Sequence, residues 1–353
     1  MNKIFLCALV FGLIVSDVSA QLGGRSVFSF LDLSSSARIA ALGGTFISVR
    51  DNDPNPATMN PSLLNASMNN MLSFSGVKYF ADVKGGDASF TRSYEKVGTF
   101  QAAVHYINYG TFKNTDVYGN INGDFTAADL AFQMGWGYQA NPFFTIGADM
   151  KFVYSHYESY SSTGIVGDLG VTYVPDSSRG IAVSLLARNI GGQLKRYDEN
   201  IEREPINSEV IAGFSKKFSH APFRVIVTYR HLEKFDYTYL NPLTELETDP
   251  ITGDKIAKDI TFFDKFSRHF ILGTELVFST NFNLRFAYNF QRRAEMRLDN
   301  AAGLTGMSLG FGIKVNRFHL AYGYAAYHVA GGTNHITVST NPYDFFRKKS
   351  SGD

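Results

Sequence analysis

The stretch Leu130–Tyr154 reads LAFQMGWGYQANPFFTIGADMKFVY and decides the fold class. In its first half every second residue is large and apolar, and small or polar residues lie between them. After the turn signal at Asn141-Pro142 the same alternation resumes from Phe144. A period of two is that of a β-strand with one apolar face. The stretch therefore predicts two strands joined by a tight turn.

The same alternation recurs along most of the chain. The runs are longer than the ~5–6 residues of an average soluble strand and reach the ~9–11 residues that a tilted strand needs to cross a membrane. Their number is even, as bacterial outer-membrane barrels require. We expect about fourteen strands, near residues 70–80, 86–95, 97–110, 125–139, 142–156, 163–174, 180–189, 207–219, 222–234, 265–279, 281–291, 303–315, 317–328 and 332–340.

The connections between these runs alternate in length. Those after even-numbered strands are short, at 139–142, 219–222, 279–281 and 315–317, and most of those after odd-numbered strands are longer, at 110–124, 190–206, 234–264 and 292–302. Short periplasmic turns that alternate with long outer loops are typical of outer-membrane barrels. Residues 70–341 are therefore predicted to form an all-β, transmembrane antiparallel β-barrel, with both termini in the periplasm.

The ends of the chain predict export. Residues 1–20 combine Lys3, the apolar run Ile4–Val15 and the small residues Val18-Ser19-Ala20, the pattern of a signal peptide. The one cysteine, Cys7, lies within this segment, so cleavage leaves no cysteine for disulfides or metal binding. A net charge of +1 gives no sign of nucleic-acid binding, and a mean hydropathy of −0.10 suits a barrel with one polar face. Residues 342–353 form a short polar tail.

Residues 21–69 differ from the strand region. They are rich in Gly, Ser, Asn and Pro, with short apolar stretches at Val27–Leu33 and Ile39–Leu42. A segment of this size and composition would hardly fold alone. It either hangs in the periplasm or folds back into the barrel as a plug. The apolar stretches favour the plug, since fourteen strands leave an interior that must be filled.

The same segment carries a family resemblance. Its motifs Phe28–Leu33, Ser36-Ala37-Arg38 and Ala41-Leu42-Gly43-Gly44, followed by Asn60-Pro61, resemble the entry region of FadL-type barrels in Bacteroidota. Within that group the chain is most similar to the PorQ family of type IX secretion components. Further likenesses lie at residues 109–112, 123–129, 189–191 and 220–222.

This resemblance implies an outer-membrane partner of the complex that cleaves the C-terminal signal of secreted cargo and attaches the cargo to lipopolysaccharide. In that family the barrel is a membrane mount for proteins resembling PorU, PorV and PorZ, and it is not the protease. The alternative is a FadL-like transporter of a hydrophobic small molecule, which needs an apolar pocket and an exit such as a gap in the wall. The polar, charged inner face of the predicted strands favours the mount.

Charged residues on that inner face are candidates for a ligand site. The acidic ones cluster on the earlier strands and most of the basic ones on the later strands, an arrangement that predicts a transverse field inside the barrel. The alternative is a set of structural ion pairs between wall and plug. The residues are Asp129, Asp149, Lys151, Asp168, Arg188, Arg224, Arg230, Glu275, Arg285 and Lys314.

The long connection 234–264 is a second candidate, because long ordered loops often carry function. Its candidate partner-binding residues are Asp236, Tyr237, Tyr239, Asp249 and Asp254. The alternative is an ordinary hairpin with a Pro/Gly turn.

The sequence predicts neither a metal site nor catalysis. The eight histidines are scattered, and residues 249–254 lack the ligand spacing and terminal Glu of a calcium loop. His105, His269 and His319 fall on the inner face, where hydrogen bonding is the ordinary role. No nucleophile-elbow pattern or triad emerges, so we expect no enzyme and no cofactor.

Overall fold

A computed structural model describes residues 26–175, 180–236, 238, 246–248, 255–257, 260–296, 303–328 and 331–346. The predicted signal peptide at 1–20 lies outside these residues. Three short α-helices occur in the described ranges: α1 Ala37–Ala41, α2 Phe262–Arg268 and α3 Phe290–Met296. None of the helices in these ranges is long and apolar enough to cross a membrane.

Fourteen antiparallel strands form one closed barrel, which confirms the predicted fold class. Thirteen of the junctions join strands in chain order, and β1 closes the ring by pairing with β16 from Leu72↔Thr340 to Lys78↔Asn334. A separate two-stranded hairpin, β10 Leu246–Thr248 and β11 Lys255–Ala257, lies in the connection between β9 and β12. The barrel strands are β1 Leu72–Lys78, β2 Lys84–Tyr94, β3 Gly98–Thr115, β4 Ile121–Gln139, β5 Phe144–Tyr157, β6 Tyr160–Tyr173, β7 Ile181–Lys195, β8 Glu209–Lys217, β9 Phe223–Tyr229, β12 Phe270–Val277, β13 Phe282–Asn289, β14 Met307–Val315, β15 Phe318–His328 and β16 Gly331–Thr340.

The alternating side chains separate into an outer and an inner face. On β5, Met150 and Phe152 point outward and are 58% and 44% exposed, whereas Asp149 and Lys151 between them are buried inside. An apolar outer face and a buried polar inner face are the pattern of a barrel in lipid. This arrangement places the barrel in the outer membrane.

Two ends of the barrel can be distinguished. We call the end with the connections β2–β3, β4–β5, β6–β7, β8–β9, β12–β13 and β14–β15 the short-turn end, and the opposite end the loop end. At the loop end the predicted loop 110–124 is wrong, since β3 runs to Thr115 and β4 begins at Ile121. Stacking of Phe112 on Phe125 and the Lys113–Asp124 ion pair extend the hairpin beyond the region where alternation is visible.

Other predicted boundaries at the loop end also shift. The strand predicted from residue 265 begins at Phe270, because helix α2 precedes it with Thr261 as a cap that accepts a hydrogen bond from the Asp264 N–H at 3.3 Å. The predicted loop 190–206 is shorter, since β7 continues to Lys195. Helix α3 occupies the start of the predicted loop 292–302.

Residues 26–71, which we call the inner segment, lie inside the barrel. The segment contains α1 and four 3₁₀ turns, at Ser29–Asp32, Pro56–Thr58, Pro61–Leu63 and Ala66–Met68, and it contacts the inner face around the ring. Its approach to the wall is close: a Cβ added at Gly147 on β5 would clash with Pro61, and one at Gly323 on β15 would clash with Ala37.

Two apolar clusters bind the inner segment to the wall. The wall residues in them are isolated aliphatic side chains on an otherwise polar inner face, such as Ile107, Val153 and Leu186. Burial of each such side chain contributes roughly 1.5–3 kcal/mol. These aliphatic positions on the mostly polar inner face receive the apolar stretches of the inner segment. The members of the clusters are Ile39, Leu42, Phe46, Ile47, Val49, Met59, Leu186, Ile211 and Ile226 in one, and Val27, Phe28, Phe30, Leu31, Ile107, Ala131, Val153 and Val166 in the other.

Candidate functional site

The motif Ser36-Ala37-Arg38 begins helix α1 and joins the inner segment to the last strand. The Ala37 N–H donates to Thr337 Oγ1 on β16 at 2.9 Å. Ser36 is buried beside it, and Leu42 lies in the first apolar cluster. The motif is thus a docking point of the inner segment on the wall.

Gly43 and Gly44 end the helix in a conformation that favours glycine, with φ of +89° and +94°. A Cβ at Gly43 would also clash with Ile271 on β12. The Gly43 carbonyl accepts hydrogen bonds from Asn289 Nδ2 at 3.0 Å and from Arg292 Nη2 at 3.2 Å. These contacts explain why two glycines occur in succession here.

A buried ion cluster, which we call the clamp, joins α1 to β9, β12 and β13. Arg38 makes a two-point contact with Glu275, from Nε to Oε1 at 2.9 Å and from Nη2 to Oε2 at 3.0 Å. Arg38 also binds Asp51 at 2.8 Å within the inner segment. Arg285 Nε donates to Glu275 Oε1 at 3.0 Å, and Arg224 donates to Oε2. Glu275, which is 1% exposed, therefore contacts three guanidinium groups in one place.

A second buried cluster lies on β7, β8 and the start of the β9–β12 connection. Arg188 Nη1 contacts Glu209 Oε1 at 3.2 Å and Asp32 Oδ1 at 3.4 Å, and Arg230 Nη2 donates to Glu209 Oε2 at 2.8 Å. Arg188 also donates to the Leu31 carbonyl. The cluster thus holds the first turn of the inner segment against the wall.

The acidic residues of the early strands are also partnered. Lys151 Nζ lies 2.6 Å from Asp168 Oδ2, and Asp149 accepts a hydrogen bond from Gln133 at 2.8 Å. These contacts link β4, β5 and β6 across the inner face. The Lys151–Asp168 pair cancels charge locally, whereas Asp149 meets only the neutral amide of Gln133, and its Oδ1 is buried with no partner among the described residues.

Asp129 lies beyond them toward the loop end. It is 1% exposed and accepts hydrogen bonds from Tyr109 at 2.6 Å, from Tyr157 at 2.9 Å and from Ser155. Tyr109 belongs to β3, so this carboxylate connects three neighbouring strands. For these predicted charges the contacts favour the structural interpretation over a ligand site.

Three of the predicted basic residues keep unused donors. Arg188 retains a buried Nε and Arg285 a buried Nη1 with no partner among the described residues. Lys314 on β14 lines a cavity at the short-turn end. Arg285 and Lys314 line that cavity together.

The predicted partner loop is described only in part. Asp236 forms an ion pair with Lys265 of α2 at 2.6 Å, and the hydrogen bond from Lys265 lowers the pKa of the Asp236 carboxyl to about 2. Tyr237, Tyr239, Asp249 and Asp254 lie outside the described residues. The partner-binding role of this loop stays a prediction.

Sequence reasoning missed the latch between β2, β3 and the inner segment. Asp87 Oδ2 accepts a hydrogen bond from the Ser35 N–H at 3.1 Å, and its other oxygen contacts His105 Nδ1. The His105 ring stacks on Phe30 with centroids 5.5 Å apart. The inner-face parity of His105 was visible in the sequence, but its partners lie far away along the chain.

The wall opens beside this latch, where β2 ends and β3 continues. The last β2–β3 pair is Lys84↔Asn108, and a bulge follows between Asn108 and Thr111. In the bulge Gly110 has φ of +91°, and its N–H donates to the Asn108 side chain at 2.7 Å. A cavity of about 630 Å³ lies here, lined by Ala81, Asp82, Lys84, Gly85, Gly86, Tyr106, Asn108, Tyr109, Gly110, Thr111 and Phe112.

Two further cavities lie in the interior. A small one of about 50 Å³ separates the inner segment from β3–β5 and is lined by Leu31, Leu33, Met59 and His105, among others. A larger one of about 440 Å³, which we call the vestibule, opens at the short-turn end beside the clamp. Within the described ranges no group of three or more His, Cys, Asp or Glu is placed to hold a metal ion.

No protein-family model matches the chain, and no curated protein matches it at a significant level. Solved structures do show a similar fold. The CymD monoaromatic hydrocarbon channel is 16% identical with a TM-score of 0.48, and the match covers 88% of this chain and 97% of that one. The Pseudomonas putida toluene transporter TodX is 14% identical with a TM-score of 0.48, covering 86% and 96%. A Pseudomonas aeruginosa FadL homologue is 10% identical with a TM-score of 0.46, covering 87% and 98%.

At these identities the likeness concerns the fold alone, a closed outer-membrane β-barrel. The predicted role as a type IX secretion component is wrong: the barrels found are channels and a transporter for hydrocarbons and a FadL homologue. The polar, charged inner face that had favoured the mount also carries aliphatic residues such as Ile107, Val153 and Leu186.

Proposed function

We propose that this barrel passes a small hydrophobic molecule across the outer membrane, and that the molecule enters through the wall between β2 and β3. The observation that carries the proposal is the cavity at the β3 bulge. A barrel sealed by its own hydrogen-bond ladder has no such interruption, because every strand pairs along its length with both neighbours. Here residues 109–115 of β3 extend beyond the last pair with β2: residues 109 and 110 form the bulge, and residues 111–115 pair only with β4.

The cavity reaches both faces of the wall. Tyr106 and Lys84 lie on the outward parity of their strands, and Tyr106 is 41% exposed. Tyr109 points the other way and donates to the buried Asp129 in the interior. Gly85 also faces inward, where a Cβ would lie 3.4 Å from Ser35 Oγ. A cavity lined from both faces is a passage from the lipid side to the interior.

The volume of the cavity suits a small molecule, and its lining combines aromatic rings with the polar side chains of Asp82, Lys84 and Asn108. Ligand cavities are typically about 300–1,000 Å³ with mostly apolar walls and a few polar groups. The volume of this cavity lies within that range. Three aromatic rings, those of Tyr106, Tyr109 and Phe112, line it beside several glycines, which have no side chain to cover the rings. A hydrophobic molecule that accumulates among the lipid chains would reach it without crossing water.

The route continues past the latch of Asp87, His105 and Ser35. Behind the latch lies the small cavity lined by Leu31 and Met59, and the vestibule opens beyond it at the short-turn end. The described arrangement closes the route between these cavities, so passage requires the inner segment to shift near Ser35. The Ser35–Asp87 hydrogen bond, the Asp87–His105 contact and the Phe30–His105 ring stack hold it there.

For the orientation we propose that the short-turn end and both termini face the periplasm, as short turns do in bacterial barrels. Cleavage of the signal peptide after Ala20 would leave a mature chain that starts at Gln21, on the periplasmic side. The outward apolar face then contacts membrane lipid, and the loop end meets lipopolysaccharide. Protease treatment of intact cells should cut the loop end, and a tag at the C-terminus should bind antibody only after permeabilisation.

The entry route can be tested by closing the cavity with a reversible cross-link. A Cβ placed at Gly110 lies 4.0 Å from the Asp82 Cβ, within the ~3.5–4.5 Å spacing of a disulfide. We expect Asp82→Cys with Gly110→Cys, when oxidised, to reduce uptake of radiolabelled toluene severalfold and to recover it on reduction. Uptake is measured in whole cells of a Gram-negative host, since the lipopolysaccharide leaflet is the barrier that phospholipid vesicles lack.

The controls separate the route from the function. Gly86→Leu projects a side chain from the outer face into the cavity, whereas Gly76→Leu changes the paired residue on β1, which does not line it. Toluene uptake should fall in Gly86→Leu and stay at the native level in Gly76→Leu. Equal uptake by oxidised and reduced protein would refute this entry route, and native barrel that takes up no more toluene than empty cells would refute the transport proposal itself.

A further inference from the structure

We propose that the vestibule at the short-turn end is a binding site for an oxyanion group, a carboxylate or a phosphate, held chiefly by Arg285 and Lys314. The vestibule lies on the opposite end of the barrel from the bulge of β3. Its existence does not depend on the passage of a hydrophobic molecule through the wall.

Arg285 is the first observation. Its side chain is buried, with the residue 5% exposed, and its Nε is committed to Glu275 in the clamp at 3.0 Å. Its Nη1 has no partner among the described residues. A buried charged donor left without an acceptor is costly. The neighbouring Asn283, one position along the inner face, likewise has a buried side-chain oxygen without a partner.

The space in front of these groups is kept open by small residues. Gly312 pairs with Asn283 across β13 and β14, and a Cβ there would lie 2.8 Å from Asn283 Oδ1 and 3.1 Å from Arg285 Nη2. Ala321 is the next residue across, on β15. The pair Lys314↔His319 forms the following row toward the short-turn end. The polar groups of Arg285, Asn283 and Lys314 therefore surround a floor of glycine and alanine.

The charges around the vestibule favour an anion. Five basic side chains line it, Arg38, Lys217, Arg224, Arg285 and Lys314, against the three carboxylates of Asp51, Asp53 and Glu275. All three carboxylates are already occupied by Arg38, and Glu275 also binds Arg224 and Arg285. Lys314 has no acidic partner in the described part of the chain. Lys217 on β8 also has no acidic partner among the described residues, so the charge left over in the vestibule is positive.

A guanidinium and an ammonium around one small space are the usual donors for carboxylate and phosphate oxygens. A volume of about 440 Å³ also accommodates a small organic group behind the oxyanion. Such a group is either the head of an acidic amphiphile or a free inorganic anion. Both offer the same oxygens to Arg285 and Lys314, and binding measurements can tell them apart.

The test is calorimetric titration of the full-length barrel in non-ionic detergent with two probes, inorganic phosphate and benzoate. The main variant is Lys314→Gln, which removes a charge without breaking an ion pair of the clamp. We expect the dissociation constant to rise about tenfold or more, as the loss of one charge-assisted hydrogen bond implies. Lys216→Gln is the matched control. Lys216 lies on β8 at the same end of the barrel as Lys314, but on the outer face, so this variant should leave binding unchanged.

A second variant tests the site itself in case Lys314 attracts the anion without contacting it. Gly312→Ala places a methyl group in the floor and should weaken both probes while leaving every charge present. Binding of both probes identifies a general oxyanion site, benzoate alone identifies the head of an acidic organic molecule, and phosphate alone identifies a free anion. No binding of either probe, or native affinity in both Lys314→Gln and Gly312→Ala, would overturn the proposal.

Discussion

The barrel holds its inner segment in different ways on two opposite sides. On the clamped side, formed by β9, β12 and β13, Arg38 of the inner segment inserts into the ion cluster centred on Glu275. On the open side, formed by β2 and β3, the contacts are the Ser35–Asp87 hydrogen bond and the Phe30–His105 stack. The bulge of β3 and the cavity at it lie beside the second set of contacts.

This difference assigns separate tasks to the two sides. A buried ion cluster is strongly destabilised when one partner leaves, because the remaining charges stay buried and uncompensated. One hydrogen bond to a carboxylate and one ring stack cost less to break than a cluster in which three guanidinium groups share one buried carboxylate. Any shift of the inner segment should therefore pivot on the clamped side and open on the other, next to the cavity at the bulge.

The largest expected effect comes from breaking the clamp. Glu275→Gln leaves Arg38, Arg224 and Arg285 close together with their shared carboxylate removed, and we expect the free energy of unfolding to fall by about 3–5 kcal/mol. Denaturant unfolding in detergent can be followed by fluorescence of Trp136, the one tryptophan in the sequence. Glu95→Gln, in the exposed β2–β3 turn, is the matched control and should unfold like the native chain. A Glu275→Gln variant of native stability would show that the clamp does not hold the inner segment.

A smaller effect is expected on the open side. Asp87→Asn weakens the acceptor of the Ser35 N–H and removes the charge beside His105, which should lower the free energy of unfolding by about 1–2 kcal/mol. Because this latch closes the proposed route, toluene uptake should rise in the same variant. Asp344→Asn, on an exposed residue near the C-terminus, serves as the control. If uptake falls while stability is only slightly changed, the latch is part of the route and does not close it.

The comparison also shows what the sequence could predict. The strands were predictable because a barrel in lipid imposes one strict rule, apolar outside and polar or small inside, on every strand. Leu130–Tyr138 and Phe144–Tyr154 show that rule directly, and both lie in strands. Asp149 and Lys151 follow from the same parity and are buried on the inner face.

The contacts between wall and inner segment were not predictable in the same way. Arg38 and Glu275 are 237 positions apart, and no periodic pattern links them. Ile107 and Val153 are aliphatic residues on the polar parity, and without knowledge of the inner segment they look like exceptions to the alternation. The β3 bulge hides the opening as well, since Asn108–Thr111 carries ordinary turn residues that a sequence reading assigns to a loop.

The smallest effect is expected at the loop end above the clamped side, where Asp236 pairs with Lys265. The hydrogen bond from Lys265 lowers the pKa of Asp236 to about 2, below the ~3.9 of an unfolded chain. A depressed pKa stabilises the contact fully above the unfolded value, and this stabilisation is lost as the pH falls through about 2. Pepsin should therefore cut the β9–β12 connection of Asp236→Asn faster than that of the native chain at about pH 4, with the two rates converging near about pH 2. Both side chains are partly exposed, so global unfolding should hardly change. Equal cleavage rates at both pH values would mean that this pair does not order the connection, and that the clamp alone fixes the rigid side of the barrel.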